Sequence, residues 1–305
     1  MKTRPSTTTA LVTVLAPISW GTTYVTVTEL LPPDRPLFVA ALRVLPAGLV
    51  LAAIGLGAGW RPRGRQWVHT AVLAFFNFGL FMPLLIAGVY RLPGGVAASA
   101  GGLQPLLVAV AAWLIRGEPL RRRDMAIGIV AAAGVALVVL RPGAGFDIAG
   151  ILAVVGANVS FAVGVVLTKS FPAPEHRVGS TGWQLAMSAI VIVPLALVFE
   201  AAPDRLTVVN VAGLAYLGLL ATGVAFVLWF RGVERLPTAA PPLLSLAAPT
   251  TGAALGWLLL GEDLTVLQLL GFATTISAIV YGATVGARLP EPRHRAAVQP
   301  ACVTC

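Results

Sequence analysis

A chain of 305 residues that is 57% hydrophobic and 11% charged lacks the polar surface of a water-soluble domain, in which about a quarter of residues carry charge. Its formal charge of +9 comes from basic residues dealt out among short segments rather than gathered on one face, which argues against a nucleic-acid partner. Long apolar runs recur along the sequence, each near the roughly 20 residues that cross a hydrocarbon core, so the class is an all-α polytopic membrane protein.

Taken in order, the runs predict ten transmembrane helices over 9–30, 36–56, 68–90, 94–115, 124–140, 148–169, 181–200, 208–230, 238–260 and 265–287. The first follows Lys2 and Arg4 but continues to about Leu30 without a small-residue cleavage site, so it reads as a span and not as a removed leader. The intervening segments are short, which makes neighbouring helices antiparallel. Residues 288–305, with Pro290, Pro292 and several charges, read as a disordered cytoplasmic tail. The only cysteines, Cys302 and Cys305, end that tail in a string that weakly fits both a Cys-x-x-Cys pair and a prenylation box, and neither reading gives them a role.

Residues 88–120 return 144 positions later as residues 232–264. Without a gap, Gly88, Arg91, Leu92, Pro93, Pro105, Trp113, Gly117 and Glu118 align with Gly232, Arg235, Leu236, Pro237, Pro249, Trp257, Gly261 and Glu262. Shared apolar composition does not place an Arg-Leu-Pro, an internal proline, a tryptophan and a Gly-Glu pair in one register, so the chain is a duplication. The domain reading is a first five-helix repeat over 1–144, a second over 145–287 and the tail.

Orientation follows from the basic residues. With the N-terminus in the cytoplasm, sixteen Lys and Arg lie inside, four lie outside and Arg43 alone falls within a span. The opposite orientation inverts that ratio, against the positive-inside rule. Both termini are therefore expected in the cytoplasm. Five spans is an odd number, so the second repeat enters the membrane from the other side, and Glu118 and Glu262 fall at opposite faces. Inverted repeats offer two packings of similar energy, the structural basis of alternating access.

Gly88-Val-Tyr-Arg-Leu-Pro93, Leu103-Gln-Pro105, Trp113-Leu-Ile-Arg-Gly-Glu118, Ala247-Ala-Pro249 and Trp257-Leu-Leu-Leu-Gly-Glu-Asp-Leu264 together resemble the paired EamA domains of the drug/metabolite transporter superfamily, as do Ser19-Trp-Gly21 and Arg43. The likeness covers nearly the whole chain except the tail. It implies a ten-helix fold with a central cavity lined by both halves, often serving export of amino acids or other small metabolites.

Polar groups inside spans need partners, so each is a candidate for the cavity or for a bond between helices. Gln104 leads, because Pro105 removes an amide donor and leaves backbone acceptors in the preceding turn. Pro249 is expected to open the ninth helix at matching depth and bring Ser245, Thr250 and Thr251 to the same cavity. Trp20 stands in mid-span with Tyr24 one turn along, whereas Trp60, Trp67, Trp113, Trp183, Trp229 and Trp257 fall near span ends and read as an interfacial belt. Asn77, Asn158 and Thr222 lie deep enough to join. For every one of these the sequence leaves both a solute contact and a structural bond open. Arg43 has three readings: a snorkelling side chain, a pair with Glu29, or a partner for an anionic group of the solute.

Gly117-Glu118 and Gly261-Glu262 read as helix stops with glycine caps. Gly252 with Gly256, and Ala97/Gly101 with Ala98/Gly102, are small-residue seams for packing within one chain; they also allow a homodimer, which nothing else in the sequence supports. No Asp or Glu occupies the middle of a span, so no carboxylate proton relay is visible. The rival classes fare worse. An intramembrane enzyme needs a nucleophile with a base or a metal cluster, and Gly179-Ser-Thr-Gly182 has no histidine within a span to activate it; a channel or a structural membrane protein stays as the other alternative. The reading is a carrier without cofactor or metal, with the lipid bilayer and a small solute as its partners.

Overall fold

A computed structural model describes residues 7–92, 100–120, 122–139, 147–201, 203, 205–260 and 265–288. Glu262, Ala97, Ala98, both cysteines and tail residues 289–305 lie outside them.

The described residues are helical and contain no strand. The elements in order are α1 (Thr7–Gly21), α2 (Thr23–Leu30), α3 (Pro36–Gly57), α4 (Gln66–Ala74), a π-helical turn over Phe75–Gly79, and α5 (Phe81–Arg91). A 3₁₀ turn over Ala100–Leu103 leads into α6 (Gln104–Arg116), followed by α7 (Arg122–Val139), α8 (Ile148–Ser170), α9 (Arg177–Phe199) and α10 (Val208–Ala215). A second π-helical stretch over Tyr216–Val224 continues into α11 (Ala225–Arg235), and α12 (Ala240–Leu244), α13 (Ala247–Leu260) and α14 (Val266–Arg288) complete the series.

Among the described residues, six stretches are long and apolar enough to cross a membrane: Thr7–Leu30, Pro36–Gly57, Gln66–Arg91, Ile148–Ser170, Arg177–Phe199 and Val208–Arg235. They fall on six of the ten spans expected from sequence. Their outward faces carry exposed Leu152, Ile190, Leu197 and Val198, a surface suited to lipid and not to water.

Local chemistry sets the helix ends. Asp147 accepts from Gly150 N at 2.8 Å to start α8, and Thr207 and Asn210 exchange bonds as a capping box for α10. Gly117 closes α6 in the left-handed region at φ 65°, with its N–H and that of Glu118 returning to Trp113 and Ala112, as the sequence leads one to expect of that Gly-Glu pair. Arg116 then pairs with Glu118 at 2.9 Å.

Glycines set the closest helix approaches. A Cβ on Gly182 would lie 2.2 Å from Ala52 N, one on Gly48 2.6 Å from Ala186 N, and one on Gly55 2.6 Å from Gly179 Cα. The order of those pairs makes α3 and α9 antiparallel. The α5–α8 pair closes at Gly88, 2.1 Å in the same sense from Val154 Cγ2, and the α1–α11 pair at Gly232, 2.2 Å from Thr13 Oγ1.

Polar contacts gather at two opposite ends of the bundle. At one end, Lys169 Nζ donates to Leu236 O at 2.5 Å, Arg177 pairs with Glu234 at 2.5 Å, and Trp60 stacks with His176. At the other, Tyr90 donates to Pro32 O, Arg91 pairs with Asp147 at 3.7 Å, Arg35 donates to Ala201 O, and Asn210 donates to Leu30 O.

One expectation is corrected here. Trp229 is no interfacial anchor: it is 1% exposed, with its ring 5.1 Å from that of Trp20. The chain stays helical to Arg235, so Trp229 lies well inside the helix and faces other aromatic rings instead of a headgroup.

Candidate functional site

Two interrupted helices shape the centre of the bundle. Pro249 has no N–H for the carbonyl of Ser245, four residues earlier, and that carbonyl instead accepts from Ala248 N at 3.0 Å. The helix therefore opens at Ser245–Leu246, between α12 and α13. Pro105 stands in the same relation to Gly101, and there the chain runs as the 3₁₀ turn before α6. A third interruption falls at Thr22, between α1 and α2, where Thr22 Oγ1 donates to Ser19 O at 2.7 Å and meets Tyr216 Oη at 2.8 Å.

Around these breaks lies a cavity of about 70 Å³. Among the predicted site residues it brings together Trp20, Tyr24, Arg43, Gln104 and Asn158, from five different helices, and Ser245 from the turn between α12 and α13. Phe81, Met82, Leu85 and Phe226 supply apolar wall, and no Asp or Glu is among its described lining.

Arg43 is the only described cation in that wall and is 2% exposed. Its Nε donates to Thr222 Oγ1 at 2.7 Å and its Nη2 to Thr23 Oγ1 at 3.3 Å, while Nη1 is buried without a partner. The snorkelling and Glu29 readings are thus replaced: the guanidinium is turned inward onto two hydroxyls, and Glu29 is exposed at the end of α2. Gln104 is 5% exposed; its Nε2 donates to Asn158 O at 3.5 Å and its Oε1 has no partner. Asn158 donates to Val154 O and Ser245 to Pro242 O, each within its own helix or turn. Trp20 packs against Phe226 at 4.8 Å and Phe161 at 5.8 Å, with its indole N–H buried and unpartnered.

Four predicted residues, Asn77, Thr222, Thr250 and Thr251, do not line this cavity. Asn77 donates to Gln184 at 3.4 Å, Thr250 bonds back to Leu246 O at 2.7 Å, and Thr222 acts from behind by holding Arg43. Thr251 packs on Gly21 at the α1–α13 crossing, where Gly252 also meets Gly21, so that small-residue seam closes within the chain. Sequence reading missed Thr23, though its three-residue step from Trp20 would put both on one face of an unbroken helix. It also missed Phe81, Phe161 and Phe226, because an aromatic residue in an apolar helix carries no sign that separates a cavity wall from a lipid contact.

A second cavity, of about 350 Å³, lies toward the Arg177–Glu234 end and is lined by Arg63, Arg65, His69, Gln184 and Phe230 among others. Phe226 and Phe230, 5.7 Å apart and one turn apart on α11, contribute to the first and second cavity respectively, so an aromatic partition stands between the two.

Comparison with known proteins matches the EamA-like transporter family to residues 7–140 and again to 148–282. Protein PecM of Dickeya dadantii is 38% identical over 267 residues, covering 87% of this chain and 89% of that protein. A probable amino-acid metabolite efflux pump of Salmonella typhimurium is 27% identical over 288 residues, covering 90% and 94%. One protein of known crystal structure shares the fold with a TM-score of 0.76 at 22% identity over 93% of this chain and 98% of its own.

Proposed function

The chain belongs to the EamA-like transporter family, and from that premise we propose that it is an alternating-access carrier that exports a small metabolite or drug-like solute, amino-acid-related compounds included, through its central cavity. The observation that carries this reading is the cavity itself. It draws on both halves of the sequence and buries three polar groups, Trp20 Nε1, Arg43 Nη1 and Gln104 Oε1, that have no protein partner. An unmet buried donor or acceptor costs about 1–3 kcal/mol, a cost that a solute or water would relieve.

The mechanism rests on ten membrane-crossing helices arranged as two inverted repeats, over 1–144 and 145–287. Several packing relations support that arrangement. α5 and α11 have the same bounds 144 positions apart, and the two π-helical stretches overlap in the same register. Gly88 against α8 and Gly232 against α1 are equivalent close approaches made by equivalent residues. The repeat-related helices α3 and α9 pack on each other antiparallel. A twofold axis brings equivalent helices together antiparallel only when it runs across them, which for membrane helices means along the plane of the bilayer. The remaining expected spans then correspond to α6, α7, α12 with α13, and α14.

At about 70 Å³ the cavity falls well below the roughly 300–1,000 Å³ of ordinary ligand sites. In the carrier reading this conformation is contracted, and a solute enters only when helices part. The aromatic partition separates it from the larger cavity, which the basic-residue tally puts on the cytoplasmic side of a plasma or bacterial inner membrane, with both chain termini. Helix opening around the Thr22, Gly101 and Ser245 breaks would join the two in turn.

Counterflow in proteoliposomes across a panel of amino acids and related metabolites tests the proposal. Saturable exchange is expected, with its apparent affinity weakened by Trp20→Ala and by Gln104→Ala. Unchanged affinity in both variants removes the site assignment, and conversion of a lipid-soluble substrate without vectorial movement removes the carrier.

A further inference from the structure

Resting on the carrier reading, the geometry points to a more definite solute: we infer that the central cavity selects an organic monoanion, a carboxylate on an apolar body that also bears a neutral hydrogen-bond donor. Arg43 brings one formal positive charge to the wall, and no carboxylate among the described lining neutralises it. Its two present partners are hydroxyls, which satisfy hydrogen bonds but cancel no charge. A buried cation without a counter-ion is costly in a low-dielectric site. A carboxylate on the free Nη1 supplies both the missing acceptor and the missing charge.

A second, independent feature has the same sign. The interrupted helices resume at the cavity, α6 from Gln104 and α13 just ahead of the lining residues Ala248 and Pro249, and both run away from it. Each therefore turns the positive end of its macrodipole toward the space, a favourable setting for an anion. Gln104 Oε1 adds a further requirement, because an unpartnered buried acceptor calls for a donor on the solute, whereas the unpartnered Trp20 N–H calls for a second acceptor such as the carboxylate's other oxygen. A zwitterion meets the hydrogen-bond demands but leaves the site with Arg43's charge uncancelled; a monoanion with an amide or hydroxyl donor meets both. Phe81, Met82 and Leu85 fit the apolar remainder.

The test uses the full chain, purified in detergent for ligand-induced thermal stabilisation and reconstituted for counterflow. The probes are N-acetyl-phenylalanine, its uncharged primary amide, phenylalanine, and cationic phenylalaninamide. The inference expects the N-acetyl acid to bind at least about tenfold more tightly than the uncharged amide or the cation, a difference of about 1.4 kcal/mol, with the zwitterion between. Arg43→Gln should abolish that preference and Arg43→Lys should retain part of it. Equal binding of acid, amide and cation in the unsubstituted chain overturns the inference and leaves the carrier standing. Tight binding of the acid without exchange upholds the site and removes the carrier. Failure of every probe to bind overturns the solute class, and a full acid preference in Arg43→Gln overturns the role of Arg43. The comparison within the unsubstituted chain decides the class even if a variant fails to fold.

Discussion

Arg43 and Thr222 are 179 positions apart, and the arginine Nε donates to the threonine Oγ1 at 2.7 Å inside the bundle. That bond joins α3 to the second π-helical stretch and aims the guanidinium so that Nη1 is left over. Thr222→Val keeps the shape and removes the acceptor. A hydrogen bond to a charged group is worth about 1.5–3 kcal/mol, so thermal unfolding in detergent should move down by several degrees. Thr222→Ser, which restores the hydroxyl, should recover most of the loss; equal midpoints for the Val variant and the parent would show that the bond contributes nothing.

Glu200 caps a helix it does not belong to. Its Oε1 accepts from Leu37 N and its Oε2 from Phe38 N, both at 2.8 Å, at the first turn of α3. It answers two orphan amides and places a negative charge at the positive end of the helix dipole. Glu200→Ala should cost about 1–2 kcal/mol and speed hydrogen exchange at the Leu37 and Phe38 amides. Glu200→Gln, which keeps an acceptor and loses the charge, should fall between the two. Unaltered exchange at those amides in the Ala variant rules the cap out.

Much of this architecture is legible in sequence because duplication and hydropathy act over many residues. In the 144-residue register α5 and α11 have matching bounds, although the spans expected from hydropathy, 68–90 and 208–230, do not. Pro105 and Pro249 mark helix breaks because an absent N–H acts on one carbonyl at a fixed distance in the chain. The inward turn of Arg43 was not legible. It depends on Thr222 and Thr23, one of them brought in from the other half of the chain, and a hydroxyl in an apolar run more often bonds its own helix, as Thr250 does. Trp229 escaped for a related reason: a residue near a presumed span end gives no sign that its ring is enclosed by Trp20 and Phe161.

The α3–α9 seam tolerates no side chain at Gly182. A Cβ there would meet Ala52 N at 2.2 Å and Leu51 C at 2.5 Å, and backbone atoms cannot move aside as a flexible side chain can. Gly182→Ala should therefore force α3 and α9 apart, lowering both the yield of monodisperse protein and its thermal midpoint. Gly57→Ala, on the other helix of the seam with nothing within 4 Å of the added carbon, is the control and should behave as the parent. A Gly182→Ala protein as stable as the control would mean that the seam is looser than its geometry.

Arg61 and Leu206 test the orientation on which the carrier mechanism depends. Both are exposed and lie between apolar helices at nearly equivalent places in the repeat. Arg61 follows Trp60 at the end of the bundle where Trp60 stacks with His176, and Leu206 precedes the α10 cap at the end where Asn210 reaches Leu30. With Cys302 and Cys305 replaced by Ser, Arg61→Cys and Leu206→Cys each carry a single thiol. In intact cells a membrane-impermeant maleimide should label Leu206→Cys and spare Arg61→Cys until the membrane is permeabilised. Labelling of both from outside, or of neither, would put equivalent loops of the two repeats on one side. The halves would then be parallel copies, and an exchange of conformations between them would no longer carry the cavity from one face of the membrane to the other.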